Sequence, residues 1–284
     1  MKTLKQKIVI IYHSGCRDGF GGAWAAWKKF KNKAAYIPAF DRSGPPYEFK
    51  GKEIYLIDYT YRPEVIKKLI KDGNHVTAID HHISAKKAVK LTEQYSFSLN
   101  HSGAVLAWNY FHPGRKVPVL LRCVEDGDLW KWRLPWSKEI LAAMNLKGFD
   151  FAAWGSIAKE LEIGKKRKIF VEQGRLLLRY EECLLNELLP NAGLVDFLGH
   201  KVFAINAPHH FTDDLGNALA KKLHSFAIVW YAAGGKINVS LRSEGSVDVS
   251  KIAVKFNGGG HKRSAAFSFD AKRRFPWKLI DTLR

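Results

Sequence analysis

The chain has 284 residues, and its 46 Lys and Arg against 27 Asp and Glu give a formal charge of +19. A content of 46% hydrophobic and 13% aromatic residues excludes a disordered basic tail, and the length excludes a small single module, since it can bury one large core or two ordinary ones. The charge calls for a polyanionic partner, such as nucleic acid, a phosphate ester or an anionic surface, and is silent on fold.

The elements follow from apolar periodicity and its punctuation. Residues 7–12 are the first strand candidate, and 19–30 (GFGGAWAAWKKF) form a small-residue helix ending in lysines. Strands follow at 34–38, 53–58 (EIYLID) and 75–80 (HVTAID). Between the last two lies a helix at 62–71, with Pro63 in its first turn, where the missing N–H costs nothing. Strands separated by helices predict a mostly parallel N-terminal sheet covered by helices on both faces. Residues 103–110, 117–125, 136–144 and 165–189 read as a helical extension, the last opening with KKRK, before LPNAG at 189–193 interrupts the pattern. Strands at 201–206, 226–231, 236–241 and 265–269, with helices at 212–222 and 249–255, predict a smaller C-terminal α/β domain whose hairpin turns at AAGG. The fold class is α/β, in two domains of residues 1–190 and 191–284.

Cys16, Cys123 and Cys183 form no close pair and leave one odd, so a disulfide framework is not expected and a reducing compartment is. The start is basic and then apolar like a signal peptide, but its apolar run IVIIY meets polar HSG at once and reads as a buried strand. No stretch approaches the roughly 18 apolar residues of a membrane span. A cytoplasmic location with no membrane partner is the expectation.

His13, Asp18, Asp58, Asp80, His81, His82, Asp126 and Asp128 concentrate the acids and imidazoles of the first half, several directly after an apolar run. In open α/β sheets the ligand crevice lies beyond the carboxyl ends of the strands. Mixed oxygen and imidazole ligands suit a hard divalent cation, and carboxylates from different strands can hold two ions about 3.5–4 Å apart around a phosphoryl centre. Taken singly, each acid reads also as a cap or turn residue, and Asp126 with Asp128 as a turn around Gly127. In the second domain Gly258, Gly259 and Gly260 let the backbone approach a phosphate, with His261, Lys262 and Arg263 beside them. Arg242 stands after a strand, placed for a forked phosphate contact. Trp130, Trp132 and Trp136 flank Lys131 and Arg133, either to stack bases or to support the acids from behind. The absence of CxxC, GxxxxGK, HExxH and GxSxG removes zinc ribbons, P-loop ATPases, one common metalloprotease class and typical α/β-hydrolases.

IDHH at 79–82 resembles the signature of the Asp-His-His (DHH) phosphoesterase superfamily. HSGCRDGFGGAWAAW (13–27), LIDYTY (56–61) and EDGDLW (125–130) resemble its other motifs in order, and FNGGGHKRSAAFSF (256–269) resembles the glycine-rich motif of its small DHHA1-type domain. The resemblance covers nearly the whole chain and is strongest to the oligoribonuclease and cyclic-nucleotide phosphodiesterase branch. It implies that Asp18, Asp58, His81 and Asp126 are metal ligands, with His13 completing a first site, Asp58 bridging, and Asp128 and Cys16 in reserve. It further implies that Asp80 orients an imidazole or bound water, and that His82 contacts the scissile phosphate. Arg242, Gly258, Gly259, Gly260, His261 and Lys262 would hold the far end of the substrate. The implied cofactor is Mn2+ or Mg2+, as two ions.

One position departs from the pattern: Cys16 stands where the family commonly has the first acid of Asp-x-Asp, which weakens the first site for a hard ion. The gap from His13 to Asp18 also differs by one residue from the commoner spacing. The implied activity is a metal-dependent phosphodiesterase that takes a short single-stranded oligonucleotide, RNA by preference, in a cleft between domains and releases mononucleotides. The alternatives are a cyclic mono- or dinucleotide phosphodiesterase, a polyphosphate or pyrophosphate hydrolase, and a binding protein with little or no catalysis. A homodimer stays open.

Overall fold

The computed structural model describes residues 4–40 and 44–282. The first three residues of the basic start, part of the signal-peptide comparison, lie outside them. The chain divides between Leu178 and Arg179 into two compact units. This division falls inside a long helix, whereas the expected boundary near 190 lies just after that helix ends.

In the first unit, β1 (Ile8–His13), β2 (Ala34–Ala39), β3 (Glu53–Ile57), β4 (His75–Asp80) and β5 (Gln94–Phe97) form one parallel sheet in the order β2-β1-β3-β4-β5. Ile10 of β1 packs into one core layer while Val9 and Ile11 pack into another. Burial on both faces is why these strands read as continuous apolar runs rather than alternating ones. One layer receives α1 (Arg17–Phe30), α4 (Gly103–Phe111), α5 (Val119–Asp128), α6 (Ser137–Met144), α7 (Phe151–Glu162) and the start of α8 (Gly164–Leu188). The other receives α2 (Pro63–Lys71) and the short α3 (Lys86–Val89). The strand order reverses between β1 and β3, which opens a crevice at their carboxyl ends.

Two elements of this unit escape the apolar pattern. The edge strand β5 (QYSF) has no fully buried residue, and α7 starts on Asp150, whose carboxylate caps the Ala153 amide at 2.7 Å. The predicted helix 117–125 instead covers Val119–Asp128, so Asp126 and Asp128 lie on a helix rather than in a turn.

The second unit holds a seven-stranded sheet: β6 (Gly193–Phe197), β7 (His200–Asn206), β8 (Phe226–Ala233), β9 (Lys236–Ser243), β10 (Gly259–His261), β11 (Ser264–Asp270) and β12 (Lys278–Thr282). The order is β10-β11-β9-β8-β7-β6-β12, and all pairs are antiparallel except β7 with β8. Between those two the chain crosses through α9 (Thr212–Lys222), which buries Leu215 and Leu219 on one face of the sheet. On the other face α10 (Val249–Val254) buries Val249, Ile252 and Ala253. The AAGG hairpin closes on Gly234 and Gly235, with φ of 58° and 73°, as a two-residue turn of matching twist requires. Among the described residues no helix is long and apolar enough to cross a membrane.

Candidate metal centre

The crevice of the parallel sheet collects the strand-end residues. His13 closes β1, Asp58 follows β3, and Asp80 closes β4 with His81 and His82 next. Asp58 adopts a left-handed backbone, φ 53°, which costs on the order of 1–3 kcal/mol and needs surrounding structure to hold it. That hold comes from β4: the Asp58 amide donates to the Ile79 carbonyl at 2.8 Å.

Asp18, buried in the first turn of α1, accepts the Gly103 and Ala104 amides at 2.7 and 2.9 Å. These are the open N–H groups at the start of α4, a ready anion site. Nε2 of His81 then lies 3.2 Å from Asp58 Oδ1, 3.6 Å from Asp18 Oδ2 and 3.6 Å from Asp128 Oδ2. On the other side of Asp58, Nδ1 of His13 is 3.3 Å from Oδ2 and 3.2 Å from the Cys16 sulfur, which is itself 3.5 Å from Oδ2.

Asp80 stands behind this group and is fully buried. Its Oδ1 accepts the His81 and His82 amides at 2.7 and 2.9 Å and faces Nδ1 of His82 at 2.8 Å. Its Oδ2 accepts the Thr60 hydroxyl. Asp80 therefore sets the backbone and the ring of the His-His pair. Thr60, which sequence reading did not select, completes the support; its signal was its place two residues after Asp58.

Asp126 and Asp128 part company because positions two apart on a helix point to different sides. Asp128 meets His81. Asp126 instead accepts the Arg133 and Leu134 amides at 2.9 and 3.1 Å and the Ser137 hydroxyl at 2.6 Å. It organises the loop carrying Trp130, Trp132 and Trp136, all three in left-handed conformation. Trp130 and Trp136 are 52% and 46% exposed, while Trp132 packs edge-on to Trp130 and under Lys138.

Three groups in this crevice have their ligand atoms within 4.8 Å of one another: His13, Cys16 and Asp58; Asp58, His81 and His82; Asp18, His81 and Asp128. Burial pushes the Asp18 carboxyl well above its ordinary value, and the charges of Asp58 and Asp128 add to the push. Burial acts upward on Asp58 also, but the imidazoles of His13, His81 and His82 hold it below the usual carboxylate range. Burial lowers His81, yet the surrounding carboxylates of Asp58, Asp18 and Asp128 raise it to about 9. Oδ1 of Asp58 is buried without an aligned hydrogen bond, so the approach of His81 to it is electrostatic. Three carboxylates gathered around one imidazole in a largely buried crevice are what a further cation offsets. Carboxylates with imidazoles fit a hard or borderline divalent ion.

In the second unit the glycine run is structured differently from an open amide cradle. The Gly258 amide donates to the Ala253 carbonyl at 2.9 Å, and Gly259, Gly260 and His261 pair with β11 as an edge strand. A Cβ on Gly258 would stand 2.1 Å from the Ala266 carbonyl oxygen, so close packing is one requirement for glycine there. His261 and Lys262 are exposed. Arg242 is largely buried, with Nε donating to Asp213 at 2.6 Å and Nη1 to the Leu241 carbonyl at 2.9 Å. Next to Gly258 a groove of about 310 Å³ is lined by His209, Tyr231, Asn238, Ser240 and Ser268.

Residues 211–281 match the model of the DHHA1 domain family. The chain is 28% identical over 300 residues to an uncharacterized protein of Acanthamoeba polyphaga mimivirus, across 96% of this chain and 70% of that one. In fold it is similar to the DHH domain of a member of a family of ribosomal proteins, with a TM-score of 0.62 and 15% identity over 94% of this chain and 84% of that one. It is similar also to RecJ of Thermus thermophilus in complex with Mn2+, at TM-score 0.50 and 15% identity, over 93% of this chain and 49% of RecJ.

Proposed function

We propose that this chain, with a DHHA1 domain in its second unit and the fold of the DHH phosphoesterase superfamily, is a divalent-metal-dependent phosphodiesterase that cleaves short single-stranded oligonucleotides, RNA by preference, to mononucleotides. The observation that carries the reading is the convergence of the buried Asp18 and Asp58 carboxylates and of Asp128 on Nε2 of His81 at the strand ends. Asp18, Asp58, His81 and Asp128 would hold one ion, and His13, Cys16 and Asp58 a second, with Asp58 shared; this gives the fourth-motif ligand to Asp128 in place of Asp126. Held by these residues, divalent ions would supply Lewis acidity toward a phosphoryl oxygen and would lower the pKa of a bound water.

The chain's own residues do the rest. Asp80 fixes the His82 ring through Nδ1, so that His82 can contact the scissile phosphate and steady the leaving oxygen. Trp130 and Trp136 offer ring faces for base stacking, a sequence-tolerant contact. In the DHHA1 unit the groove beside Gly258 offers His209 and Tyr231 as aromatic walls and Asn238, Ser240 and Ser268 as hydrogen-bonding partners for a nucleotide. Arg242 and Lys262 supply positive charge for its phosphates, and His261 a ring nitrogen for a hydrogen bond.

The test is nucleotide release from a ribodinucleotide, a cyclic dinucleotide and polyphosphate, each with Mn2+ and with Mg2+. The expected result is turnover of the dinucleotide, lost in Asp58→Ala and His81→Ala while oligonucleotide binding persists. Tight binding without turnover in any divalent ion would overturn the reading in favour of a binding protein.

A further inference from the structure

The geometry points to an asymmetric metal centre, in which His13, Cys16 and Asp58 form a thiolate-containing site selective for a borderline ion such as Zn2+, Co2+ or Fe2+, beside an all-oxygen-and-imidazole site for Mn2+ or Mg2+. This rests on the metal-centre part of the proposed function and deepens it. The first argument is spacing. Tetrahedral coordination with bonds of about 2.3 Å to sulfur and 2.0–2.1 Å to nitrogen and oxygen separates ligand atoms by roughly 3.3–3.6 Å. In the structure two edges fall in that range, 3.3 Å from imidazole to carboxylate and 3.5 Å from sulfur to carboxylate, and the sulfur-to-imidazole edge is shorter at 3.2 Å, so the three atoms are already gathered at the spacing of one ion's ligands.

The second argument is donor chemistry. A thiolate favours Zn2+ and its borderline neighbours over Mg2+ or Mn2+, whereas Asp18, Asp128 and His81 offer no sulfur. Asp58 joins the two sets. Its buried side chain turns Oδ2 toward Cys16 and His13, while Oδ1, without a hydrogen bond, lies toward His81 and His82. Cys16 is also fixed in place rather than free to swing, because its sulfur accepts the Gly19 amide at 3.2 Å as the cap of α1. On binding, the S–H bond gives way to an S–metal bond and the proton leaves to solvent.

The test uses the full chain, stripped with a chelator and titrated with Co2+. A thiolate-to-cobalt charge-transfer band in the near ultraviolet is expected, saturating at one equivalent per chain. It should vanish in Cys16→Ser, where serine keeps a cap for α1, and persist in Cys183→Ser, whose exposed cysteine lies elsewhere. Cys16→Asp should retain two ions per chain, lose the band and shift the first site's preference from Zn2+ toward Mn2+. A wild-type protein without the band, or a band unchanged in Cys16→Ser, overturns the inference. The two readings fail separately: a band without dinucleotide turnover sinks the proposed activity alone, and turnover without the band sinks this site alone.

Discussion

A methyl group on Gly103 would stand 2.6 Å from Cβ of Asp58 and 3.0 Å from Oδ2 of Asp18. The start of α4 thus comes close enough to donate two amides to Asp18 only because residue 103 has no side chain. Gly103→Ala is expected to fold, since its backbone lies at the start of a helix, but to displace both acids. Misplacement of about 1 Å at a reacting centre can cost on the order of a hundredfold in rate. The checks are kcat on a dinucleotide and Mn2+ affinity, both of which should fall; unchanged values for both would remove Asp18 and Asp58 from the centre.

Asp126 and Asp128 should separate by stability as well as by activity. Replacing Asp126 by alanine strands two loop amides and a hydroxyl, and loss of charge-assisted hydrogen bonds of this kind costs about 3 kcal/mol. Replacing Asp128 by asparagine instead relieves repulsion among Asp18, Asp58 and Asp128, so in chelator its Tm should equal or exceed that of the wild type. Thermal melts with and without Mn2+ decide the matter. Asp128→Asn should lose most of the metal-induced rise in Tm, and Asp126→Ala should keep it from a lower starting point.

This pair also marks what could and could not be seen in the sequence. The strand-end acids were legible because strands buried on both faces are unbroken apolar runs, and the residues that end them fall in the crevice. The choice between Asp126 and Asp128 depends on helix phase, and EDGD reads as a turn because glycine disfavours helix. In the fold Gly127 belongs to α5, where a Cβ would meet Leu141 at 2.6 Å, so packing overrides propensity. The glycine run at 258–260 was legible as a close approach but not as an edge strand, because pairing with β11 is set by the partner strand. Gly103 carries no chemistry of its own and became visible only through what it touches, whereas the one signal for Thr60 was its place two residues after Asp58.

Arg242 should act on substrate binding rather than on the metals. Its Nε is held by Asp213 in the first turn of α9, which orients the guanidinium plane. Charge-assisted contacts to phosphate contribute about 1.5–3 kcal/mol. Arg242→Ala is therefore expected to raise KM for an oligonucleotide at least tenfold with kcat and Mn2+ affinity little changed. Asp213→Asn, which keeps an acceptor for Nε, should produce a smaller rise in KM. An effect of Arg242→Ala confined to kcat would refute the assignment.

Thr60, Asp80 and His82 form a chain whose order predicts graded effects. Asp80 is the shared acceptor, and removing it by Asp80→Ala strands the amides of His81 and His82 together with the Thr60 hydroxyl, at a cost of about 1–3 kcal/mol for each group left unpaired in the interior. That variant should lose stability, metal affinity and rate together. Thr60→Val preserves the shape and removes one donor, so the carboxylate keeps its bonds to the His-His backbone but loses one restraint on its rotation. Outer partners of this kind typically change affinity or activity by about 10–100-fold. Thr60→Val should therefore lower kcat within that range and leave KM nearly constant, since the residue touches neither substrate nor ligand atoms directly. Pre-steady-state kinetics at saturating Mn2+ separates the two roles: if excess metal restores the rate, Thr60 acts through ion binding, and if it does not, Thr60 acts by holding Asp80 so that the His82 ring keeps its angle to the phosphate.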